Sequence, residues 1–410
     1  MKKQEKKQKT VFIILLSNIF IAFLGIGLII PVMPSFMDAM HLSGQTMGYL
    51  VATFAAAQFL MSPLTGGWID RFGRKKAIII GLFFFSISEL IFGLGTNIGM
   101  LYFSRILGGV GAAFIMPGAT AYVADITTIE ERPKAMGYVS AAISTGFIIG
   151  PGIGGFLATY GVRTPFFFAA VVAFLACISS LLMLSETMPR EQSAENPAHT
   201  QENTGFISDV KKSFHPLYLI AFVIVFVLSF GLSVYETIFS LFTDHRFGYT
   251  AQDIAMIFTI SSIVGLIVQV SMFGKMVKVL GEKKLIQLCL VAGVLLAVVS
   301  TMVSNFFIVL AITCAIFLAF DLLRPALTTL LSKTADDQEQ GFVAGMNSTY
   351  TSLGNIIGPA MGGLLFDWNI NFPYLFAAVI MAIGFGMTFR WKNKQVQNLN
   401  HIKSSERQRI

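Results

Sequence analysis

Charge is scarce in this chain: only 12% of its 410 residues are charged, with five histidines, three tryptophans and three cysteines. A soluble domain carries about 25% charged residues. With 55% hydrophobic residues and a mean hydropathy of +0.72, the chain has too much apolar surface to hide in a water-soluble core, so lipid is the expected solvent for most of it. That overrides the two or three soluble domains that length alone would suggest. Cys177, Cys289 and Cys314 all lie in apolar runs, without metal-ligand spacing and without an even number to pair. They read as apolar filler, not as disulfides or a metal centre. No GxxxxGK[ST] loop is present, so ATP drive within this chain is not expected. The apolar runs hold no His/Asp metal cluster and no nucleophile–base pair, and the polar stretches are too short for a catalytic domain. The sequence predicts no enzyme, no metal and no cofactor.

What the chain does have is long apolar runs. A membrane-spanning helix needs roughly 20 such residues, and twelve candidates are present: 11–33, 46–68, 77–96, 98–123, 136–159, 165–185, 215–241, 252–274, 284–302, 305–331, 342–365 and 372–390. Backbone groups must be satisfied inside lipid, so the expected fold class is all-α integral membrane. The basic start MKKQEKKQK is followed by an apolar run that reaches Pro31 without an A-x-A site, which predicts an uncleaved first span. The one long polar stretch, 186–212, is rich in Glu, Gln, Asn and Pro. It reads as a mobile linker between an amino-terminal six-helix bundle (1–185) and a carboxy-terminal one (213–410).

Basic residues set the orientation. Of 29 Lys and Arg, 25 fall on one side of the twelve spans. Arg163 and Arg246 fall on the other side, and Arg105 and Arg324 lie within spans. The positive-inside rule then places both termini and the linker in the cytoplasm of a multi-pass plasma-membrane protein. The net charge of +7 is thereby a topology signal, not a nucleic-acid surface.

The halves repeat. GFIIGPGIGG (Gly146 to Gly155) returns as GNIIGPAMGG (Gly354 to Gly363) at an offset of 208 residues. At the same offset Gly66 matches Gly274, Gly73 matches Gly281, Lys75–Lys76 match Lys283–Lys284, and Pro117 matches Pro325. Six spans per copy give both copies one orientation, with a central site expected between them.

Three segments bear on mechanism. In GGWIDRFGRKK (Gly66 to Lys76), Gly66 would allow close helix approach and Gly73 a tight turn. Asp70 can pair with Arg74 or face a helix N-terminus, and Arg71 completes the charged cluster. A plain basic loop would account for the cations but not for their echo, GKMVKVLGEKK. In LYFSRILGGVGAA, Arg105 inside a span is costly unless it meets water or a partner; the bland alternative is an arginine snorkelling near a helix end. In GFIIGPGIGG, Gly146, Gly150 and Gly154 share a face that lets helices approach. Pro151 removes a backbone donor, and ordinary small-residue packing explains neither it nor the paired Gly154–Gly155. These segments resemble the GxxxDRxGRK loop, the fourth-span arginine motif and the fifth-span antiporter motif of the major facilitator superfamily. The resemblance implies a loop that latches one side of the two halves, a role for Arg105 in proton transfer, and antiport. Two departures stand out: the echo has Lys278 in place of the acid, and Gly108 replaces the usual glutamine of the arginine motif.

Acids within the spans are few: Glu89, Glu236 and Asp321, with Asp125 at the end of the fourth. An intramembrane acid is a functional candidate by default. Asp321 precedes Arg324 by three residues, so the two can form an ion pair; a static buried salt bridge is the alternative. The segments SFGLSVYETIFSLFT, FDLLRPA, SISELIFG and IMPGATAYVADI resemble the NorA/Bmr type of Gram-positive multidrug efflux pumps over essentially all spans. That resemblance implies proton coupling and substrate recognition at Glu236 and Asp321. It implies a drug pocket that includes Gln58, Phe147, Phe239, Ser352 and Asn355. The implied substrates are amphipathic, often cationic: quinolones, dyes and quaternary ammoniums. The implied drive is the proton gradient, and the implied functional unit is a monomer in the lipid bilayer. The 39 Phe and 19 Met suit walls that repack around unlike ligands. A proton-coupled sugar or nutrient transporter is the alternative, but the spans offer few of the polar side chains that it would need.

Overall fold

The computed structural model describes residues 2–187, 206–335 and 339–390. Among these residues the structure has thirteen helices and no strand. In chain order they are α1 (Lys2–Ile29), α2 (Met33–Ala39), α3 (Gly44–Phe72), α4 (Arg74–Leu94), α5 (Ile98–Ile126), α6 (Arg132–Ala158) and α7 (Thr164–Met183). Then follow α8 (Phe206–Ser213), α9 (Pro216–Phe247), α10 (Ala251–Ser300), α11 (Phe306–Thr334), α12 (Gln340–Trp368) and α13 (Phe372–Arg390). α10 is two helices joined without a gap. Gly281 interrupts it at φ 74°, ψ 158°, a backbone that glycine adopts without a Cβ penalty. Split there, α10 supplies the eighth and ninth spans, and every apolar run maps onto a long helix. Ten helices qualify as membrane spans by length and composition among the described residues, with α10 counted once.

Two expectations change. The first run does not continue to residue 33: α1 stops at Ile29 and α2 begins at Met33. Pro31 has no N–H to donate and restricts the residue before it, which breaks the helix there. The linker expected over 186–212 is not featureless at its end, because α8 covers part of it; residues 188–205 lie outside the described residues. α8 is held by tertiary contacts: Lys212 pairs with Glu339 at 2.8 Å and lies 4.6 Å from the Phe342 ring centroid. The Ser213 and Tyr350 hydroxyls are 3.0 Å apart.

In the amino-terminal half, α1 packs on α6, α4 on α5 and α7, and α3 on α5. Their shared core includes Leu15, Ile19, Ile78, Leu82, Phe85 and Tyr122. Outward, Leu60, Leu182, Val270 and Phe389 stand exposed, as helices solvated by lipid require. By spatial grouping the chain forms two compact units. The first comprises 1–197, 236–263 and 359–370, and the second the remaining residues. α9, α10 and α12 thus each contribute residues to both.

Candidate functional site

The glycine strips set how closely the helices approach. A Cβ on Gly146 would meet Leu24 N and Phe20 O at 2.9 Å, one on Gly150 would meet Gly27 Cα at 2.9 Å, and one on Gly154 would overlap Leu28 O. α6 therefore lies on α1 backbone to backbone. Gly155 faces another way: its Cβ would meet Ala255 Cβ at 2.6 Å, at the start of α10. The second strip repeats this division. Gly354 and Gly358 rest on Ser229 and Phe230 of α9, whereas Gly363 abuts Gly44 of α3. The paired glycines that end the first strip thus serve two different neighbours. Gly66 behaves otherwise than expected: among the described residues no atom lies within 4 Å of a Cβ built there, so no close helix approach is made at it. Gly73 has φ 107° and its Cβ side is filled by the Glu186 carboxylate, which also accepts from Lys75 N at 3.3 Å.

The charged loop is organised around Arg74. Its guanidinium reaches Asp70 at 3.3 Å and Asp125 at 3.0 Å, while Arg71 stays exposed. Asp125 thereby acquires a partner that the sequence left open. The second half repeats this pair with the signs exchanged. Glu282 and Lys333, which stand 208 residues after Arg74 and Asp125, form an ion pair. Hydrogen bonding from Lys333 holds the Glu282 carboxyl below its ordinary pKa. The echo loop lacks the Asp70 equivalent but keeps this strut. Each single charge removal, Glu282→Gln or Lys333→Gln, is expected to cost about 0.5 kcal/mol after solvent screening. The exchanged double variant Glu282→Arg/Lys333→Asp is expected to recover it, as thermal unfolding midpoints in detergent would show.

Between α4 and α5 lies a buried polar layer. Ser88 Oγ donates to Ser104 O at 2.8 Å and Ser104 Oγ donates to Ser88 O at 2.7 Å. One residue further on each helix, Arg105 Nη2 meets Glu89 Oε1 at 3.4 Å. Both are buried, and the guanidinium stacks 4.0 Å from the Phe92 ring centroid. Among the described residues, Glu89 Oε2 and Arg105 Nε have no hydrogen-bond partner. Arg105 is therefore not snorkelling: it is paired inside the bundle. The signal was present in the sequence. α4 and α5 are antiparallel neighbours joined by a short turn, so Ser88 and Ser104, and then Glu89 and Arg105, come level. The second half has Ala297 and Thr313 at the matching positions, where the Tyr235 and Thr313 hydroxyls lie 3.0 Å apart. The charged layer belongs to one copy only.

The remaining candidates fall in both units. Gln58, Phe147, Glu236 and Phe239 belong to the first unit, and Asp321, Arg324, Ser352 and Asn355 to the second. Phe147 packs on Phe23 with ring centroids 5.1 Å apart, and Phe239 meets Phe258 edge-on at 5.4 Å. Glu236 is half-buried three residues before Phe239 on α9, so both lie along one side of that helix. Asn355 Oδ1 accepts from Ser233 Oγ at 2.8 Å, which ties the exposed Asn355 to α9. Ser352, three residues earlier on α12, is half-buried. The Asp321–Arg324 ion pair expected from their spacing does not form among the described residues. The Asp321 carboxylate instead fills the space beside Gly265 of α10, and Arg324 stands exposed. The absence of a side chain at Gly265 leaves room for the acid against α10, away from its i+3 neighbour. Gln269 of α10 also donates to the Asp321 backbone carbonyl at 3.1 Å.

A sequence profile of the Major Facilitator Superfamily matches residues 15–317 and again 221–407. The chain belongs to this superfamily. The overlapping second match fits the internal duplication of a superfamily chain. It is 66% identical over 395 residues to "Multidrug resistance protein 2" of Bacillus subtilis (strain 168), covering 96% of this chain and 98% of that one. It is 54% identical over 401 residues to "Multidrug resistance protein 1" of the same organism, covering 98% and 100%. It is 39% identical over 376 residues to "Quinolone resistance protein NorA" of Staphylococcus aureus (strain MRSA252), covering 92% and 93%. Among solved structures it resembles a bacterial homolog of the human lysosomal transporter Spinster, in an inward-facing, unoccupied conformation. The TM-score is 0.77 at 15% identity, over 94% of this chain and 97% of that one. The nucleoside transporter NupG gives 0.77 at 14% identity, over 93% and 98%. At such identities these structures show the superfamily fold alone.

Proposed function

We propose that this superfamily member is a drug/proton antiporter that exports amphipathic, often cationic compounds across the bacterial plasma membrane, with both termini in the cytoplasm. The observation that carries the reading is the 66% identity, over nearly the whole of both chains, to a protein named for multidrug resistance. The named quinolone resistance of a 39% identical relative points to the same substrate class.

The chemistry follows from the acids. Glu236 and Asp321 lie on helices otherwise rich in apolar residues, and a carboxylate in such surroundings attracts a lipophilic cation. One carboxylate cannot hold a proton and a cation at once. A proton entering from outside neutralises the acid and releases the drug. Loss of that proton to the cytoplasm restores the anionic site, so one proton moves inward as one drug moves outward at each acid used. Arg105, held by Glu89, adds a second place where charge is kept within the membrane. No bound cofactor enters this cycle; the proton gradient supplies the energy, and the working unit is a monomer.

Ethidium uptake into everted vesicles tests the reading. Uptake is expected to require the proton gradient and to collapse with an ionophore. Glu236→Gln and Asp321→Asn are expected to reduce it to the level of vesicles without the protein. Full gradient-driven transport by both variants would refute the assignment of these acids. Uptake that survives the ionophore would refute antiport.

A further inference from the structure

The N-terminus of α3 is completed by a residue from a helix more than three hundred residues away. A helix leaves its first backbone N–H groups without intrahelical partners. In α3 the cap residue Ser43 accepts from Thr46 N at 3.2 Å. The two N–H groups before it, those of Gly44 and Gln45, donate to the Asp367 carboxylate of α12 at 2.9 and 3.0 Å. A carboxylate at this end also meets the positive pole of the helix dipole. The two backbones touch around it: a Cβ on Gly363 would overlap Gly44 O, and one on Gly48 would overlap Pro359 O. Behind Asp367, the Phe366 ring packs edge-on to His245 with centroids 5.5 Å apart.

The duplication shows that this arrangement is not generic. The contact equivalent to Gly363–Gly44 is Gly155 against the start of α10. There α10 caps itself. Asp253 accepts from Thr250 N at 2.9 Å, and Thr250 Oγ1 accepts from Asp253 N at 3.3 Å, a reciprocal capping box. α3 has Thr46 where α10 has Asp253, so it cannot close that box. The residue 208 positions before Asp367 is Thr159, whose hydroxyl donates locally to Phe156 O at 2.7 Å. Of the two copies, one pairs a self-capped helix with a neutral neighbour, and the other pairs an under-capped helix with an acid. α3 runs 29 residues, about 43 Å at 1.5 Å per residue, so this contact lies at the far end of the helix from the Asp70–Lys76 loop.

We propose that Asp367 is the latch that holds the ends of α3 and α12 together on the side remote from the charged loop, and that its two hydrogen bonds must break each time these ends separate in transport. Asp367 is a positioning residue, which sets the balance between joined and separated ends without touching the substrate. The latch acts for export and import alike, so its failure and that of the antiport reading are separable.

Spin labels on Leu42→Cys and Ile370→Cys, in the full chain with Cys177, Cys289 and Cys314 replaced, would report the separation in lipid nanodiscs. The parent is expected to show a dominant short distance. Hydrogen bonds to a charged group contribute enough that Asp367→Ala is expected to raise the ratio of separated to joined ends about tenfold or more. Asp367→Asn keeps one acceptor oxygen and is expected to shift it less. Gly48→Ala, which wedges the same contact, is expected to shift it in the same direction. Only protein eluting as one symmetric chromatographic peak is compared, and the near-isosteric Asp367→Asn covers misfolding of the alanine variant. An unchanged distribution in both Asp367 variants overturns the proposal, whether or not Gly48→Ala shifts.

Discussion

Replacing Gly154 with valine is expected to unseat α6 from α1 and to prevent accumulation of a folded amino-terminal bundle. The Cβ of any residue there would overlap the Leu28 carbonyl oxygen. The obstacle is backbone on both sides, so no rotamer change relieves it. Overpacking of a close-packed contact costs about 1–3 kcal/mol, and a contact with no flexible side chain to yield belongs at or above the upper end. The measurement is the thermal unfolding midpoint in detergent together with the yield from membranes. Gly137 on the same helix is the internal control, because among the described residues no atom lies within 4 Å of a Cβ built there. Gly137→Ala is expected to be neutral or to gain up to about 1 kcal/mol from helix propensity. Equal behaviour of the two variants would show that the close approach at Gly154 is not what seats α6.

The second large effect is expected at the α4–α5 layer. Glu89→Gln leaves the buried Arg105 guanidinium without its counter-charge, and Arg105→Met leaves the carboxylate. Breaking a buried pair from one side costs about 3–5 kcal/mol, whereas replacing both partners by apolar residues of similar volume is often neutral. Each single variant is therefore expected to lower the unfolding midpoint strongly, and Glu89→Leu/Arg105→Met to restore it. Transport is expected not to return with stability in the double variant, because the charge held within the membrane is gone. A double variant that is both stable and fully active would show the pair to be structural only. The distinction matters because the second copy builds the same level from Ala297 and Thr313.

Some of this is legible in the amino-acid sequence alone. Each apolar run maps onto a long helix because a segment in lipid must satisfy its own backbone, which is a local requirement. The duplication was legible because both copies keep their glycines and prolines at one offset. Even the Glu89–Arg105 pair follows from hairpin register, because α4 and α5 are joined by a short turn. The Asp321–Arg324 pair shows where such reasoning stops: spacing made it possible, and Gly265 on another helix decided against it. Arg74–Asp125 and Glu282–Lys333 were beyond reach in the same way. Each joins a loop to the far end of a neighbouring span, and the exchanged signs hide the second pair from a search for matching residues.

The amino-acid sequence by itself determined the solvent, the long apolar helices, the duplication, and which few ionisable groups were committed to the membrane. All of these follow from hydropathy, charge placement and the backbone's need for hydrogen bonds. Only the tertiary structure decided which neighbour each glycine face receives, that Asp321 turns to α10, and that Asp367 caps α3 from 323 residues away in the chain. Those outcomes depend on where two helices can touch, a property of matched surfaces that no single segment carries.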